Sequence, residues 1–254
     1  MTEVNVLQAS NISIKFGGLV AVSNFSLSVK KGDIIAIIGP NGAGKTTVFN
    51  LLTGIYAPTA GKIYINGTDV TGQKTHEIGR AGIARTFQNI RLFSDISVLD
   101  NLLIAQTLKN KYSLWAALVR NKKFFRVETE MIDKAMEILK VFRLDGKAGA
   151  LAKNLPYGEQ RRLEIARAIM TEPEVLLLDE PCAGMVSGEI NEIIQLVPEI
   201  RDRFHLSVLL IEHHMSIVMS IAELIKVLDF GKTIAEGTPE EIKNNPAVIT
   251  AYLG

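Results

Sequence analysis

Nine consecutive residues, Gly39-Pro40-Asn41-Gly42-Ala43-Gly44-Lys45-Thr46-Thr47, match the spacing of a phosphate-binding loop. Glycines let backbone approach an anion closely, and N–H groups at a helix start can then cradle phosphate oxygens. In that chemistry Lys45 reaches the β- and γ-phosphates of a nucleotide and Thr46 offers its hydroxyl to Mg²⁺. A plain glycine-rich turn between strand and helix is the alternative. The string sits after a continuous apolar run over 33–39 and before a helical segment over 46–52, the context that phosphate binding requires.

A second chemical string is Val175-Leu176-Leu177-Leu178-Asp179-Glu180, an apolar strand that ends in adjacent carboxylates. Alone it is a solvated strand end. Downstream of a phosphate loop it reads as a Walker B element, with Asp179 placed for Mg²⁺ and Glu180 for polarising an attacking water as general base. Those two strings together still admit kinases, GTPases and helicases.

The segment Leu155-Pro156-Tyr157-Gly158-Glu159-Gln160-Arg161-Arg162 narrows the choice. It precedes a helix over 163–170, about twenty residues before Asp179, and resembles the signature loop of the ABC ATPase family. The order phosphate loop, Gln88, signature, Walker B, His213 spans nearly the whole chain and is similar to that family throughout. The resemblance implies an α/β P-loop NTPase fold, an ABC nucleotide-binding domain with an antiparallel β-subdomain and an inserted helical subdomain. It also implies ATP and Mg²⁺ as ligands, and two ATP-binding protomers that sandwich nucleotide, with Tyr157, Gly158 and Glu159 of one facing the γ-phosphate held by the other.

Further roles follow from the same resemblance. Residues 39–47 bind nucleotide. Phe16 stacks on adenine, or is a core strand residue. Gln88 contacts Mg²⁺ or water and senses a transmembrane partner, and His213 is the switch histidine at the γ-phosphate. Thr46, Gln88 and Asp179 form the metal set, and Glu180, His213 and Gln88 the catalytic set. His214 receives no role, and His76 and His205 read as surface residues. Two departures stand out: Pro156 occupies the usual signature serine position, and Val186 stands where the D-loop carries Asp or Asn. At the first, backbone amides and the helix dipole must replace a hydroxyl. The second puts the polar contact between the two sites in doubt.

Arg85-Thr86-Phe87-Gln88-Asn89, the string over 155–168 and the tail from Asn244 to Gly254 are similar to one ATP-binding subunit of branched-chain amino acid importers. The lipopolysaccharide-export ATPase is a close look-alike, and a soluble ABC ATPase acting on nucleic acid or ribosomes is the rival of another class. Expected partners are transmembrane permease subunits, a second identical or homologous ATP-binding subunit and, indirectly, an external solute-binding protein. The expected place is the cytoplasmic face of the membrane.

The elements that must position these residues are legible in outline. Alternation of Ile12, Ile14 and Phe16, then Phe25, Leu27 and Val29, predicts strands. The 62–66 run ends in the turn Asn66-Gly67. Buried strands are expected at 175–178 and 208–211, and helices over 190–200 and through much of 99–144. Strands alternating with helices predict a parallel core sheet with an antiparallel β edge. The single domain divides into a core of 1–93 with 158–254, and a helical subdomain of about 94–157. Basic and apolar residues interleave between Lys109 and Arg126, around Trp115; the stretch fits either a membrane or partner face or a solvated subdomain face.

Composition bounds the rest. The 254 residues suffice for one sizeable core. With 28 Lys plus Arg against 27 Asp plus Glu, the formal charge of +1 offers no footprint for wrapping nucleic acid. The lone Cys182 excludes an internal disulfide, the N-terminus shows no signal peptide, and no apolar run reaches the ~20 residues of a membrane span.

Overall fold

The structure, a computed structural model, describes residues 5–106 and 122–253. Two compact units are present, one formed by Met1–Gln88 with Pro173–Gly254 and the other by Asn89–Glu172.

The first unit holds two sheets. One is antiparallel and contains β1 (Asn5–Phe16), β2 (Leu19–Lys30), β4 (Ala60–Ile65) and β5 (Thr68–Asp69) in the order β2-β1-β4-β5. The other contains β3 (Ile34–Ile38), β6 (Ile83–Arg85), β7 (Val175–Asp179), β8 (Ser207–Ile211), β9 (Leu224–Asp229) and β10 (Lys232–Gly237), in the order β10-β9-β3-β8-β7-β6. All its pairings are parallel except β9 with β10. This is the expected α/β architecture, a parallel core with an antiparallel β edge. Strands β3, β7 and β8 are buried at every position, which explains their unbroken apolar runs. Each fully buried Ile, Leu or Val side chain contributes roughly 1.5–3 kcal/mol of transfer free energy.

Register decides where the chemistry emerges. Ile37 and Asp179 both pair with Ile211, so β3, β7 and β8 end level with one another. The segments that leave these ends, Gly39 onward, Glu180 onward and Glu212 onward, therefore start at one edge of the sheet, the carboxyl edge where open parallel sheets bind ligands. Helix α1 (Lys45–Leu52) follows β3, and the short α2 (Thr75–Arg80) precedes β6.

The second unit contains α3 (Val98–Gln106), α4 (Lys122–Val141) and α5 (Tyr157–Ile169), packed around Leu102, Leu139, Phe142 and Leu163. Arg161 and Glu164, one turn apart on α5, form a fully buried ion pair at 2.8 Å, and Glu164 also accepts the Arg91 amide. Most of the basic stretch flagged above, including Lys109, Lys111, Tyr112, Trp115 and Arg120, lies outside the described residues; Arg126, on α4, pairs with Glu130 at 3.1 Å. The chain returns to the first unit for α6 (Ser187–Phe204), α7 (Met215–Ile221), α8 (Pro239–Lys243) and α9 (Pro246–Leu253). Among the described residues no helix is long and apolar enough to cross a membrane.

Candidate functional site

The loop after β3 is built on obligatory glycines. Gly39 has φ 151° and a Cβ there would lie 2.0 Å from the Leu228 carbonyl oxygen. Gly44, with φ 102°, caps α1, and its Cβ would meet the Ala21 carbonyl. Neither position accepts a side chain, so the loop backbone is held open at a helix start as anion binding requires. Lys45 is buried, and its Nζ donates to the carbonyls of Gly39 at 2.7 Å and Pro40 at 2.9 Å. Burial pushes its ammonium below the ordinary lysine value, partly offset by the Glu180 and Asp179 carboxylates. Thr46 is exposed beside it.

A cleft of about 530 Å³ opens over this loop, lined by residues 41–47, Glu180, Phe16, Leu19, Val20 and Phe230. Phe16 is 43% exposed and meets the Tyr56 ring edge-on at 5.1 Å. It is a cleft wall rather than a core residue. Opposite charge and shape needs are thus met in one place: polar amides and a cation at the floor, flat apolar rings at the rim.

Glu180 follows β7 in the left-handed region, φ 46°, a conformation that costs a non-glycine residue roughly 1–2 kcal/mol. Its amide donates to the Ile211 carbonyl. Its Oε2 accepts Gln88 Nε2 at 2.8 Å and lies 3.8 Å from His213 Nδ1. Two side chains distant in sequence, Gln88 and His213, therefore converge on one carboxylate oxygen of Glu180. Asp179, at the very end of β7, is buried.

Tyr157, Gly158 and Glu159 begin α5 in the second unit, with Pro156 as an N-cap that supplies no side-chain bond. The first helical hydrogen bond runs from Gln160 N–H to the Pro156 carbonyl, which orients the first-turn amides along the helix axis. Tyr157 is 43% exposed, and Glu159 is held by Lys147 at 2.7 Å. Val186 is the N-cap of α6 and 68% exposed, with its amide on Glu189.

Four features escaped the sequence reading. Phe230 projects from the β9–β10 turn into the cleft rim, 85% exposed. Arg85 pairs with Asp179. On α9, burial pushes the Tyr252 phenol above its ordinary value, partly offset by the nearby Gly39 backbone. Glu212 is fully buried between two loops: Oε1 accepts the Cys182 amide at 3.1 Å, and Oε2 accepts the amides of His213 at 3.1 Å and His214 at 3.3 Å, with His214 Nδ1 at 3.2 Å. Glu212, His213 and His214 bring ligand atoms within 4.8 Å of one another, but these donors already occupy both Glu212 oxygens. The adjacency of Glu212 to a candidate histidine was the one available signal for it.

Residues 22–183 match the family model described as ABC transporter, and residues 232–254 match the one described as branched-chain amino acid ATP-binding cassette transporter. The chain is 47% identical over 249 residues to the high-affinity branched-chain amino acid transport ATP-binding protein LivG of Salmonella typhimurium, covering 98% of each. Among solved structures it resembles the ADP conformation of an ATP-binding cassette of an ABC transporter, with TM-score 0.85, 34% identity and 100% of each chain covered. It also resembles a dimeric post-hydrolysis state of an ATP-binding cassette bound to ADP and Pi, with TM-score 0.75 and 25% identity over 92% of this chain and 98% of that one.

Proposed function

The chain belongs to the ABC transporter family of ATP-binding proteins, and from that premise we propose that it hydrolyses ATP to drive uptake of branched-chain amino acids. The observation that carries hydrolysis is the meeting of Gln88, Glu180 and His213 beside the phosphate loop. Support for the solute class comes from the LivG relative and from the matching C-terminal 23 residues, which do not favour the lipopolysaccharide-export alternative.

In this reading the residues 39–47 backbone cradles the phosphates, Phe16 and Phe230 flank the base, and Lys45 exchanges its two carbonyl bonds for phosphate oxygens. Glu180 accepts the proton of the attacking water, with Gln88 fixing the carboxylate rotamer and His213 at the γ-phosphate. The oxygen donors of Thr46, Gln88 and Asp179 suit a hard cation and would hold Mg²⁺. Mg²⁺, when bound, neutralises charge on the β- and γ-phosphates. Tyr157, Gly158 and Glu159 would complete the site of a second ATP-binding subunit, a pairing supported by the dimeric cassette. Work is passed to transmembrane permease subunits that a solute-binding protein supplies, which places the chain peripherally at the cytoplasmic membrane face.

Lys45→Ala tests the nucleotide site. Loss of the Lys45 ammonium from the cleft floor should abolish ATP hydrolysis and weaken nucleotide binding, read by phosphate release and fluorescent-nucleotide titration. Near-native hydrolysis by this variant would refute the reading.

A further inference from the structure

Arg85 closes β6, three residues before Gln88, and its guanidinium is only 7% exposed. Nη2 donates to Asp179 Oδ2 at 2.6 Å, while Nη1 donates to Asn50 Oδ1 at 2.8 Å and Thr53 Oγ1 at 3.3 Å. The same guanidinium lies 5.4 Å from the Phe49 ring centre and 5.2 Å from that of Phe87. Each neighbour belongs to a part that hydrolysis needs. Asn50 and Thr53 sit at the far end of the helix that begins with Lys45; Phe87 is bonded to Gln88; Asp179 is the proposed metal carboxylate, next in sequence to Glu180.

Two adjacent carboxylates at a strand end concentrate negative charge where a doubly charged cation must both enter and leave. A carboxylate withdrawn from water also requires a counter-charge and a fixed geometry. Arginine is suited to both tasks, because its planar fork can hold one carboxylate oxygen while its other nitrogen is anchored elsewhere. Lysine could supply the charge but not the fork.

We propose that Arg85 is a positioning residue for the divalent cation: it pins Asp179 through one oxygen, leaves the other for the metal, and moderates the site's charge so that the cation can leave after turnover. The Phe87 contact ties the segment carrying Gln88 to the same guanidinium. This inference rests on the reading of Asp179 as a metal residue.

The full-length chain, purified alone, is tested with Mn²⁺ as the probe in the presence of a non-hydrolysable ATP analogue, its binding followed by electron paramagnetic resonance. Nucleotide affinity is measured separately in EDTA, and ATP hydrolysis with Mg²⁺. Arg85→Gln removes the positive charge, so Mn²⁺ should bind on the order of tenfold more tightly by simple Coulomb attraction. Hydrolysis should fall by about tenfold or more because Asp179 loses its anchor. Affinity for nucleotide in EDTA should not change. A merely structural pair would instead weaken Mn²⁺ and nucleotide together, and that result, or unchanged Mn²⁺ affinity, overturns the proposal. If Arg85→Gln does not fold, Arg85→Lys decides: Mn²⁺ affinity should stay within about threefold of the native protein while hydrolysis falls, and native hydrolysis overturns the proposal. Asp179→Asn separates the two layers. If it leaves Mn²⁺ binding unaltered, the metal reading of Asp179 is wrong whatever Arg85 does.

Discussion

Replacing Glu212 by glutamine keeps the shape of a buried side chain and removes its charge. In the native protein one oxygen receives three nitrogens, the amides of His213 and His214 and the His214 ring, and the other receives the Cys182 amide. A glutamine has one oxygen to offer. It would turn that oxygen to the histidine side, where more donors wait, and set its NH₂ against the Cys182 amide. One hydrogen bond to a charged acceptor, about 1.5–3 kcal/mol, is then lost, and the remaining ones become neutral and weaker. The net destabilisation should be about 2–3 kcal/mol, which at roughly 2–4 °C per kcal/mol lowers Tm by about 5–10 °C. Scanning calorimetry of the nucleotide-free chain measures this. His214→Ala, which alters only a half-exposed contributor, should cost less than about 1 kcal/mol and serves as the control. A Tm for Glu212→Gln within about 1 °C of native refutes the reasoning, because it means the four donors do not depend on a carboxylate. The same bonds join the segment after β7 to the segment after β8, so ATP turnover should fall with stability rather than survive it.

Other perturbations address single elements. Glu180→Gln should hold ATP without cleaving it and run as a dimer in ATP but as a monomer with ADP; each site at about 100-fold saturation contributes about 2.7 kcal/mol. Size-exclusion chromatography with light scattering reads this, and a variant that stays monomeric even with the paired ATPase added counts against the shared site. Pro156→Ser should keep hydrolysis within a few-fold, because one neutral hydrogen bond nets only about 0.5–1.5 kcal/mol, and complete loss of activity would contradict the backbone account of the signature segment. Asp69 is held at about 2 by the Thr71 hydroxyl and amide and then by Lys62. Its folded value lies below the unfolded one, so its contribution is complete above the ordinary carboxylate range and is lost as pH falls through about 2. Thr71→Val should raise the Asp69 value in an NMR titration, and an unmoved titration rejects the assignment.

Residues 39–47 and 175–180 were readable from sequence because each chemical unit is one contiguous string, with its glycines or carboxylates fixed in place by the strand just before it. The strands β3, β7 and β8 announced themselves for the same local reason: burial on both faces demands an unbroken apolar run. Most element limits moved by only a few residues, as with α6, expected over 190–200 and found at Ser187–Phe204, whereas α5, expected over 163–170, already begins at Tyr157, so most of the segment expected as a loop before it is helical. The helices α2, α7, α8 and α9 and the β9–β10 hairpin were not foreseen, since short elements with mixed burial carry little periodicity.

Pairing across the sheet was beyond any local pattern. Arg85 meets Asp179 from 94 positions away only because β6 lies beside β7, and Glu212 reaches the Cys182 amide only because β7 lies beside β8. Phe16 could be assigned to a cleft wall instead of the core only once its side chain was seen to be exposed beside the phosphate loop. Propensity and periodicity act between neighbours in the chain, whereas strand order is selected by the burial of whole faces against each other. The sequence therefore determined which residues could do chemistry, and the tertiary structure alone decided which of them share a carboxylate.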